Sequence, residues 1–427
     1  MENVFVAAHT LGCKVNQCDT EAVLELLVGI GCTVCNFNDN ADIYIINTCT
    51  VTHASDKKSR QIIRRARKQN TSAMVAVCGC MAQNDPASAK ELGVDFIFDA
   101  RKPDDFIKKV SEMCTGVEGF TTGLPRSRTR AFVKIQDGCD RFCSYCIVPY
   151  VRGKPISRIA QDILNEVIGL IANGVQEIVL TGIQVASYGQ DTNSTSLTDL
   201  IHQVASVEGL VRLRLSSIEP CAVTDSFLRV IASSQVLCDH FHLSLQSGSD
   251  ATLQRMNRRY TVAQYAQIVE ALRKICPDAA LTTDIIVGFP GETEEEFNES
   301  MAFVQKIGFA RIHVFEYSKR EGTAAASFVN QVPDKIKSDR SKRMRSLAAE
   351  LQMNFYIQQI GKTVAVLFER KKSQNKWIGH ASNYCTVEVI STDNKLNLTN
   401  TICQVEITAC TQDSLQGVII GGRKYEE

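Results

Sequence analysis

Three cysteines lie close together with the spacing Cys139-x3-Cys143-x2-Cys146. Three thiolates on a tight loop can bind three irons of a four-iron cluster and leave the fourth iron without a protein ligand. An open iron suits the amino and carboxylate groups of S-adenosylmethionine, whose reductive cleavage yields a 5′-deoxyadenosyl radical. The alternatives are a partial zinc site and ordinary buried thiols, although zinc sites usually show two C-x-x-C-like pairs. The motif favours a radical-generating iron–sulfur site.

A second set of cysteines follows three strand-like apolar runs near the start of the chain. Cys13, Cys49 and Cys80 come after such runs, and the carboxyl ends of parallel strands meet at the ligand-binding edge of a sheet. Their wide spacing alone is equally consistent with structural thiols. Four neighbouring cysteines compete for the same role: Cys18, Cys32, Cys35 and Cys78. The C-x-x-C pair among them follows glycines at a predicted helix end, which disfavours a redox motif.

Composition limits the class of protein. The chain has 427 residues and is 44% hydrophobic, enough for roughly two to four domains. Lys+Arg and Asp+Glu are both 47, so a nucleic-acid surface needs local clustering of charge. No apolar run approaches the ~20 residues that span a bilayer. The 17 cysteines are an odd number and no signal peptide is recognisable, so we expect a cytoplasmic protein with metal or cluster ligands instead of disulfides.

The elements that must position these cysteines form three predicted domains. Residues 1–120 alternate strand-like and helical runs and predict a small open α/β domain, followed by a linker at 121–130. Residues 125–358 contain six strand and helix repeats, which predict a parallel, partial (β/α)6 barrel. Thr293 and Glu296 form a capping box at the last of the helices between these strands. Residues 360–427 hold short β-branched runs and predict a small all-β domain.

Several longer motifs identify a family. They are TLGCKVNQ at 10–17, INTCTVT at 46–52, GCMAQ at 79–83, RLSSIEP at 214–220, HLSLQSG at 242–248, DIIVGFPGE at 284–292 and GHASNY at 379–384. Over nearly its whole length, the chain resembles the methylthiotransferase family of radical S-adenosylmethionine enzymes. Within that family it resembles the branch acting on N6-threonylcarbamoyladenosine in tRNA. The last motif lies in what looks like a TRAM domain, an RNA-binding β-barrel.

The resemblance implies roles for both sets of cysteines. Cys13, Cys49 and Cys80 would hold an auxiliary [4Fe–4S] cluster that carries the sulfur to be inserted. The set Cys139, Cys143 and Cys146 would hold the radical-generating [4Fe–4S] cluster that binds S-adenosylmethionine. No side chain need act as an acid or base, so no catalytic residue is assigned.

The same resemblance implies a reaction and its partners. The expected reaction is methylthiolation of C2 of threonylcarbamoyladenosine at position 37 of tRNA, next to the anticodon. The expected partners are the tRNA anticodon loop and an electron donor such as flavodoxin or ferredoxin. The alternatives are methylthiolation of N6-isopentenyladenosine or of a ribosomal-protein aspartate, and the residues after the first cysteine, KVNQ at 14–17, disfavour both. A zinc-stabilised RNA-binding protein is the non-enzymatic alternative.

Four residues at the predicted barrel mouth are candidates for binding S-adenosylmethionine. Gly182 follows the second barrel strand, although a plain turn would also use glycine. Glu219 and Gln246 lie at strand ends, where polar groups serve function or structural hydrogen bonds. Arg258 could hold a carboxylate as a fork or lie on the surface.

Other polar residues within the barrel pattern have simpler expected roles. Two histidines within strands, His242 and His313, are expected to be hydrogen-bonded core residues.

Two runs of cations suit a phosphate backbone or simply a solvated face. The first run is Lys57, Lys58, Arg60, Arg64, Arg65, Arg67 and Lys68, and the second is Lys335, Lys337, Arg340, Lys342, Arg343 and Arg345.

Overall fold

The computed structural model describes residues 4–114, 129–192, 194–373, 375–391, 393 and 396–422. These residues divide into two compact units. The first contains residues 4–114, 137–141 and 146–154, and the second contains 129–136, 142–145 and 155–422. The predicted linker at 121–130 falls almost entirely outside the described residues, and the predicted domain boundaries stay predictions.

The first unit is built around a parallel sheet. Its strands are β1 (Phe5–Thr10), β2 (Thr33–Cys35), β3 (Ile43–Thr48), β4 (Met74–Gly79) and β5 (Phe96–Ile97), in the order β2-β1-β3-β4-β5. The helices are α1 (Lys14–Gly29), α2 (His53–Gln69), α3 (Cys80–Asn84), α4 (Pro86–Glu91) and α5 (Asp104–Ser111). Strand β3 is buried along its whole length, with Ile45 and Ile46 in two different apolar clusters. Burial on both faces is typical of a central strand in an α/β sheet.

The second unit contains the predicted (β/α)6 barrel. Its strands are β6 (Arg130–Asp137), β7 (Ile156–Ser157), β8 (Glu177–Gly182), β9 (Arg212–Leu215), β10 (His240–His242), β11 (Ala280–Val287) and β12 (Arg311–Glu316). Strands β6, β8 and β9 pair in parallel, as do β10, β11 and β12, and a parallel bridge between Ile218 and Leu243 links the two sets. The fold class predicted from the alternating pattern is therefore confirmed.

Helices alternate with these strands. They are α6 (Val148–Arg152), which groups with the first unit, then α7 (Ala160–Ala172), α8 (Leu197–Ala205), α9 (Asp225–Ser233), α10 (Asp250–Arg255), α11 (Val262–Ile275) and α12 (Glu294–Ile307). The predicted capping box is present at α12, where Thr293 and Glu296 exchange backbone-to-side-chain hydrogen bonds of 3.2 Å each. Apolar residues on one face of each strand pack on this helical layer, and the opposite face forms the inside of the barrel.

A closed β-barrel follows helix α13 (Asp334–Ile357). Its strands are β13 (Thr363–Ser373), β14 (Lys376–Ala381), β15 (Thr386–Ile390), β16 (Thr401–Cys410) and β17 (Leu415–Gly422), in the order β13-β14-β15-β17-β16. Arg214 of β9 donates to the backbone oxygen of Ser382 at 2.9 Å, and its guanidinium lies 4.6 Å from the ring centre of Tyr384. Arg214 thus connects the larger barrel to the small one. No described helix is long and apolar enough to cross a bilayer.

Candidate metal centres and cofactor site

The first candidate centre lies where three neighbouring strands of the first unit end. Cys13 follows β1 and precedes α1, Cys49 follows β3, and Cys80 begins α3 directly after β4. Cys13 is exposed, whereas Cys49 and Cys80 are each 5% exposed. This is the strand edge at which the sequence predicted that the thiols would meet.

Two observations show that these three segments meet. Gly12 has φ +100°, and a Cβ placed there would lie 3.0 Å from Cβ and 3.2 Å from Sγ of Cys49. Burial raises the pKa of Cys80 to about 11; nearby Arg152 opposes that shift, and the Cys49 and Cys13 thiols add to it. The thiols of Cys49 and Cys13 are therefore both near the thiol of Cys80.

Three of the four competing cysteines have other surroundings, and the fourth, Cys18, is half-buried on α1. Cys78 is fully buried within the apolar cluster of β4 that includes Val6 and Phe106. Sγ of Cys32 lies 3.5 Å from Sγ of Cys114, and not against Cys35, which lies on β2. Cys32 and Cys35 pack in different apolar clusters, and the absence of a redox role for this pair stays a prediction.

An arginine that the sequence did not single out lies beside this centre. Arg152 of α6 donates to both carboxylate oxygens of Asp137 at 2.7 and 2.8 Å, to Oδ1 of Asn16 at 2.7 Å and to Oδ2 of Asp19 at 3.1 Å. It also hydrogen-bonds the thiol of Cys80. The guanidinium offsets buried negative charge next to thiols that become thiolates on metal binding. The one signal in the sequence that could have identified Arg152 is its position six residues after Cys146.

Replacing Arg152 with methionine is expected to lower the free energy of unfolding by about 3–5 kcal/mol, because Asp19 and Asp137 would lose the cation that compensates their burial. Urea denaturation of the cluster-free protein measures this. Lys109→Met is the control, since Lys109 and Glu112 form a largely exposed pair whose loss costs about 0–1 kcal/mol. Equal unfolding midpoints for the two variants would contradict the expected role of Arg152.

The second candidate centre is the loop between β6 and α6. Cys139 and Cys146 belong to the first unit, and Cys143 belongs to the second. Within the first unit, the backbone N–H of Cys139 donates to the oxygen of Gly153 at 3.0 Å, and its Sγ accepts from the N–H of Arg141 at 3.5 Å. These contacts fix the start of the loop.

Within the second unit, Arg258 connects Cys143 to a predicted cofactor residue. Its Nη1 lies 3.2 Å from Sγ of Cys143 and 3.0 Å from Oε1 of Glu219, and its Nε donates to the hydroxyl of Tyr260 at 3.0 Å. Arg258 is buried, so the surface alternative is wrong. Among the described residues, Nη2 of Arg258 has no hydrogen-bond partner. A buried guanidinium with an unused donor beside a candidate cluster ligand suits a carboxylate such as that of S-adenosylmethionine.

Two further candidates lie at the ends of barrel strands. Gly182 is the last residue of β8, and Gln246 lies beyond the end of β10. A Cβ at Gly182 would lie 3.1 Å from both the backbone oxygen and Oε1 of Gln136, so a larger residue would push β6 and β8 apart. Gln246 lies four residues beyond β10, has φ +71° and forms an isolated parallel bridge with Ile285, and its N–H donates to the oxygen of Asp284 at 2.9 Å. Both positions lie at the mouth predicted for the cofactor.

The two predicted cation surfaces differ in the structure. On α2, Lys57, Lys58 and Arg64 are exposed. On α13, Arg340 is buried and paired with Glu292 at 2.8 Å, and Arg345 donates to the backbone oxygen of Val314. Burial removes Arg340 from any positive surface, whereas Lys335, Lys342 and Arg345 are exposed, so an RNA surface on α13 stays a prediction.

Comparisons with known proteins cover both units. Residues 133–304 match the radical SAM superfamily, and residues 5–99 match the uncharacterized protein family UPF0004. The threonylcarbamoyladenosine tRNA methylthiotransferase MtaB of Bacillus subtilis is 38% identical over 92% of this chain and 91% of its own. The tRNA-2-methylthio-N(6)-dimethylallyladenosine synthase of Clostridium novyi is 35% identical over 96% and 95%. The radical S-adenosylmethionine methyltransferase TsrM of Kitasatospora setae shares the fold, with a TM-score of 0.57 at 14% identity over 74% of this chain and 73% of its own.

Proposed function

Because this chain belongs to the methylthiotransferase family of radical S-adenosylmethionine enzymes, we propose that it adds a methylthio group to C2 of N6-threonylcarbamoyladenosine at position 37 of tRNA. The chain is a radical S-adenosylmethionine methylthiotransferase, and its cofactors are two [4Fe–4S] clusters and S-adenosylmethionine. Family membership does not specify the modified nucleoside, which is therefore the proposed part.

The substrate proposal rests on the names of relatives that align with most of this chain. Relatives from Bacillus subtilis, Chlamydia pneumoniae and Aquifex aeolicus, at 35–38% identity, act by name on threonylcarbamoyladenosine. The second candidate substrate is dimethylallyladenosine, because clostridial relatives at 35–36% identity carry that name. The KVNQ context of Cys13 supports the first.

Each cysteine set is proposed to hold one cluster. Cys13, Cys49 and Cys80 would hold the auxiliary cluster, and Cys139, Cys143 and Cys146 the radical-generating one. When bound, the second cluster and S-adenosylmethionine supply an adenosyl radical for removal of hydrogen from C2.

The protein's contribution near the second cluster is to orient and shield the cofactor. Arg258, held by Glu219 and Tyr260, would bind the methionine carboxylate through Nη2. Gly182 and Gln246 would shape the mouth that receives the rest of the cofactor. The burial of Arg258 keeps water from this contact, which strengthens a charge-assisted hydrogen bond.

The substrate proposal predicts the nucleosides found in tRNA. Deleting the gene, in a host without a second such enzyme, should convert 2-methylthio-threonylcarbamoyladenosine entirely into threonylcarbamoyladenosine, as measured by mass spectrometry of digested tRNA. Complementation with this chain should restore the product, and complementation with the Cys139→Ala variant should not. Loss of 2-methylthio-isopentenyladenosine instead would establish the second candidate.

Binding of tRNA is proposed to involve the exposed cations of α2. Replacing Lys57 and Lys58 with alanine should weaken binding to all tRNA sequences and reduce the slope of log Kd against log salt by about 1.4–1.8, since each lost phosphate contact contributes about 0.7–0.9. Filter binding at several salt concentrations measures this. The matched control replaces Lys108 and Lys109 on α5 of the same unit. Equal slopes for the two double variants would exclude α2 from the RNA surface.

One further partner and a compartment follow from the proposed reaction. A low-potential electron donor such as flavodoxin or ferredoxin would reduce the radical-generating cluster. The reaction would take place in the cytoplasm, where tRNA and reduced thiols are both present.

A further inference from the structure

Two imidazoles and one carboxylate form a cluster on the inside of the barrel. Nε2 of His242 lies 3.2 Å from Oδ2 of Asp284, and its Nδ1 lies 3.0 Å from Oγ1 of Thr282. Each of three residues offers one potential ligand atom, and the three atoms lie within 4.8 Å of one another. The residues are His242, Asp284 and His313. His242 is buried as predicted, but the prediction is wrong for His313, which is exposed because it lies on the face of β12 opposite to the buried Ile312 and Val314.

An aromatic side chain lies next to this cluster on the same inner face. Asp284 is paired in register with His313, and Phe315 follows two residues later, whereas Val314 between them points into the helical core. Phe315 is 44% exposed. An exposed aromatic ring beside convergent polar groups is the arrangement that proteins use to stack a base and read its edge.

The cluster is also close to the predicted cofactor mouth. The backbone N–H of Gln246 donates to the oxygen of Asp284, and the N–H of Ile286 donates to the oxygen of Gln246, both at 2.9 Å. A base stacked on Phe315 of β12 would therefore be close to Gln246, one of the residues proposed to bind S-adenosylmethionine, because both residues lie beside β11. Direct hydrogen removal from a base requires this kind of proximity.

The chemistry of the cluster distinguishes the two candidate substrates. A threonylcarbamoyl group offers N–H and hydroxyl donors for the carboxylate of Asp284, and a carboxylate that accepts from imidazole. A dimethylallyl group is apolar, so it would desolvate Asp284 and both imidazoles without giving them partners. We propose that Asp284, His242 and His313 bind the polar group on N6 of the adenosine while Phe315 stacks on its base. This inference rests on the proposed function and deepens it.

The same three ligands could instead bind a divalent metal ion, because two histidines and one carboxylate are a known metal-binding set. The neighbouring exposed Phe315 favours the base, since a metal site gains nothing from an aromatic platform. Metal content of the variants described next decides between the two.

The test compares binding of anticodon stem-loops that carry threonylcarbamoyladenosine or plain adenosine. His313→Ala and Asp284→Asn should each weaken binding of the modified stem-loop about 10–100-fold and change binding of the plain one little, because only the modified loop presents the group they bind. Phe315→Ala should weaken both equally. His202→Ala, at an exposed histidine on α8, is the matched control and should change neither.

Each outcome supports or overturns the inference. An unchanged preference for the modified stem-loop in both His313→Ala and Asp284→Asn would overturn it. So would one non-cluster metal per chain that is present in the wild type and lost in both variants. If the wild-type enzyme makes no 2-methylthio-threonylcarbamoyladenosine from the modified stem-loop, the proposed function fails. If it does and the variants keep their preference, only the assignment of this cluster fails.

Discussion

Replacing Cys139, Cys143 and Cys146 together with alanine is expected to lower formation of 5′-deoxyadenosine from S-adenosylmethionine by at least about 10³-fold. The loop would then have no thiolate to hold a cluster, so no iron would be open to the amino and carboxylate groups of the cofactor. Arg258 would keep its pairing with Glu219 but would have no partner at position 143. Anaerobic assay with dithionite and chromatography of the nucleoside measures the effect.

The control for this variant is Cys276→Ala, a half-buried cysteine at the end of α11. It should form 5′-deoxyadenosine at the wild-type rate. Formation of the nucleoside by the triple variant at a rate comparable to that of Cys276→Ala would remove this loop from the reaction.

Replacing Cys13, Cys49 and Cys80 with alanine is expected to abolish methylthiolation while leaving cleavage of S-adenosylmethionine intact. Methylthiolated nucleoside should fall below detection, a loss of at least about 10³-fold, because the set that holds the sulfur donor is gone. Formation of 5′-deoxyadenosine should continue, because its cluster uses a different set of thiols. Measuring both products in one reaction gives the ratio directly.

The matched control is Cys35→Ala on β2, in the same sheet but away from the strand ends that carry the three ligands. It should leave both products unchanged. A triple variant that still methylthiolates tRNA would show that the sulfur reaches the base without this centre.

The order of strands and helices was largely readable because it depends on local patterns. The boundaries of α11 and α12 follow from apolar periodicity and capping residues, which are properties of neighbouring residues. Strand β14 has one β-branched residue, Ile378, directly before Gly379, and the β-branched run 418–420 of β17 has glycine on both sides. Glycine weakens the pattern that predicts a strand. Barrel closure supplies the pairing that their own sequences lack.

The candidate site was readable only in part for a similar reason. Spacing identified Cys139, Cys143 and Cys146, because a loop of eight residues keeps its ligands together by itself. The network of Arg152 joins residues more than a hundred positions apart, and so does the contact between Arg258 and Cys143. Such contacts depend on how distant segments fold together, which one sequence without relatives does not encode locally.

The central claim is that six cysteines hold two four-iron clusters in two separate sets. Iron and acid-labile sulfide per chain, measured with Mössbauer spectra after anaerobic reconstitution, test it most directly. We expect about eight irons in the wild type, about four in each triple variant and none when all six cysteines are replaced, given two clusters of four irons each. A wild type that binds zinc, or a triple variant that retains the full iron content, would contradict the account.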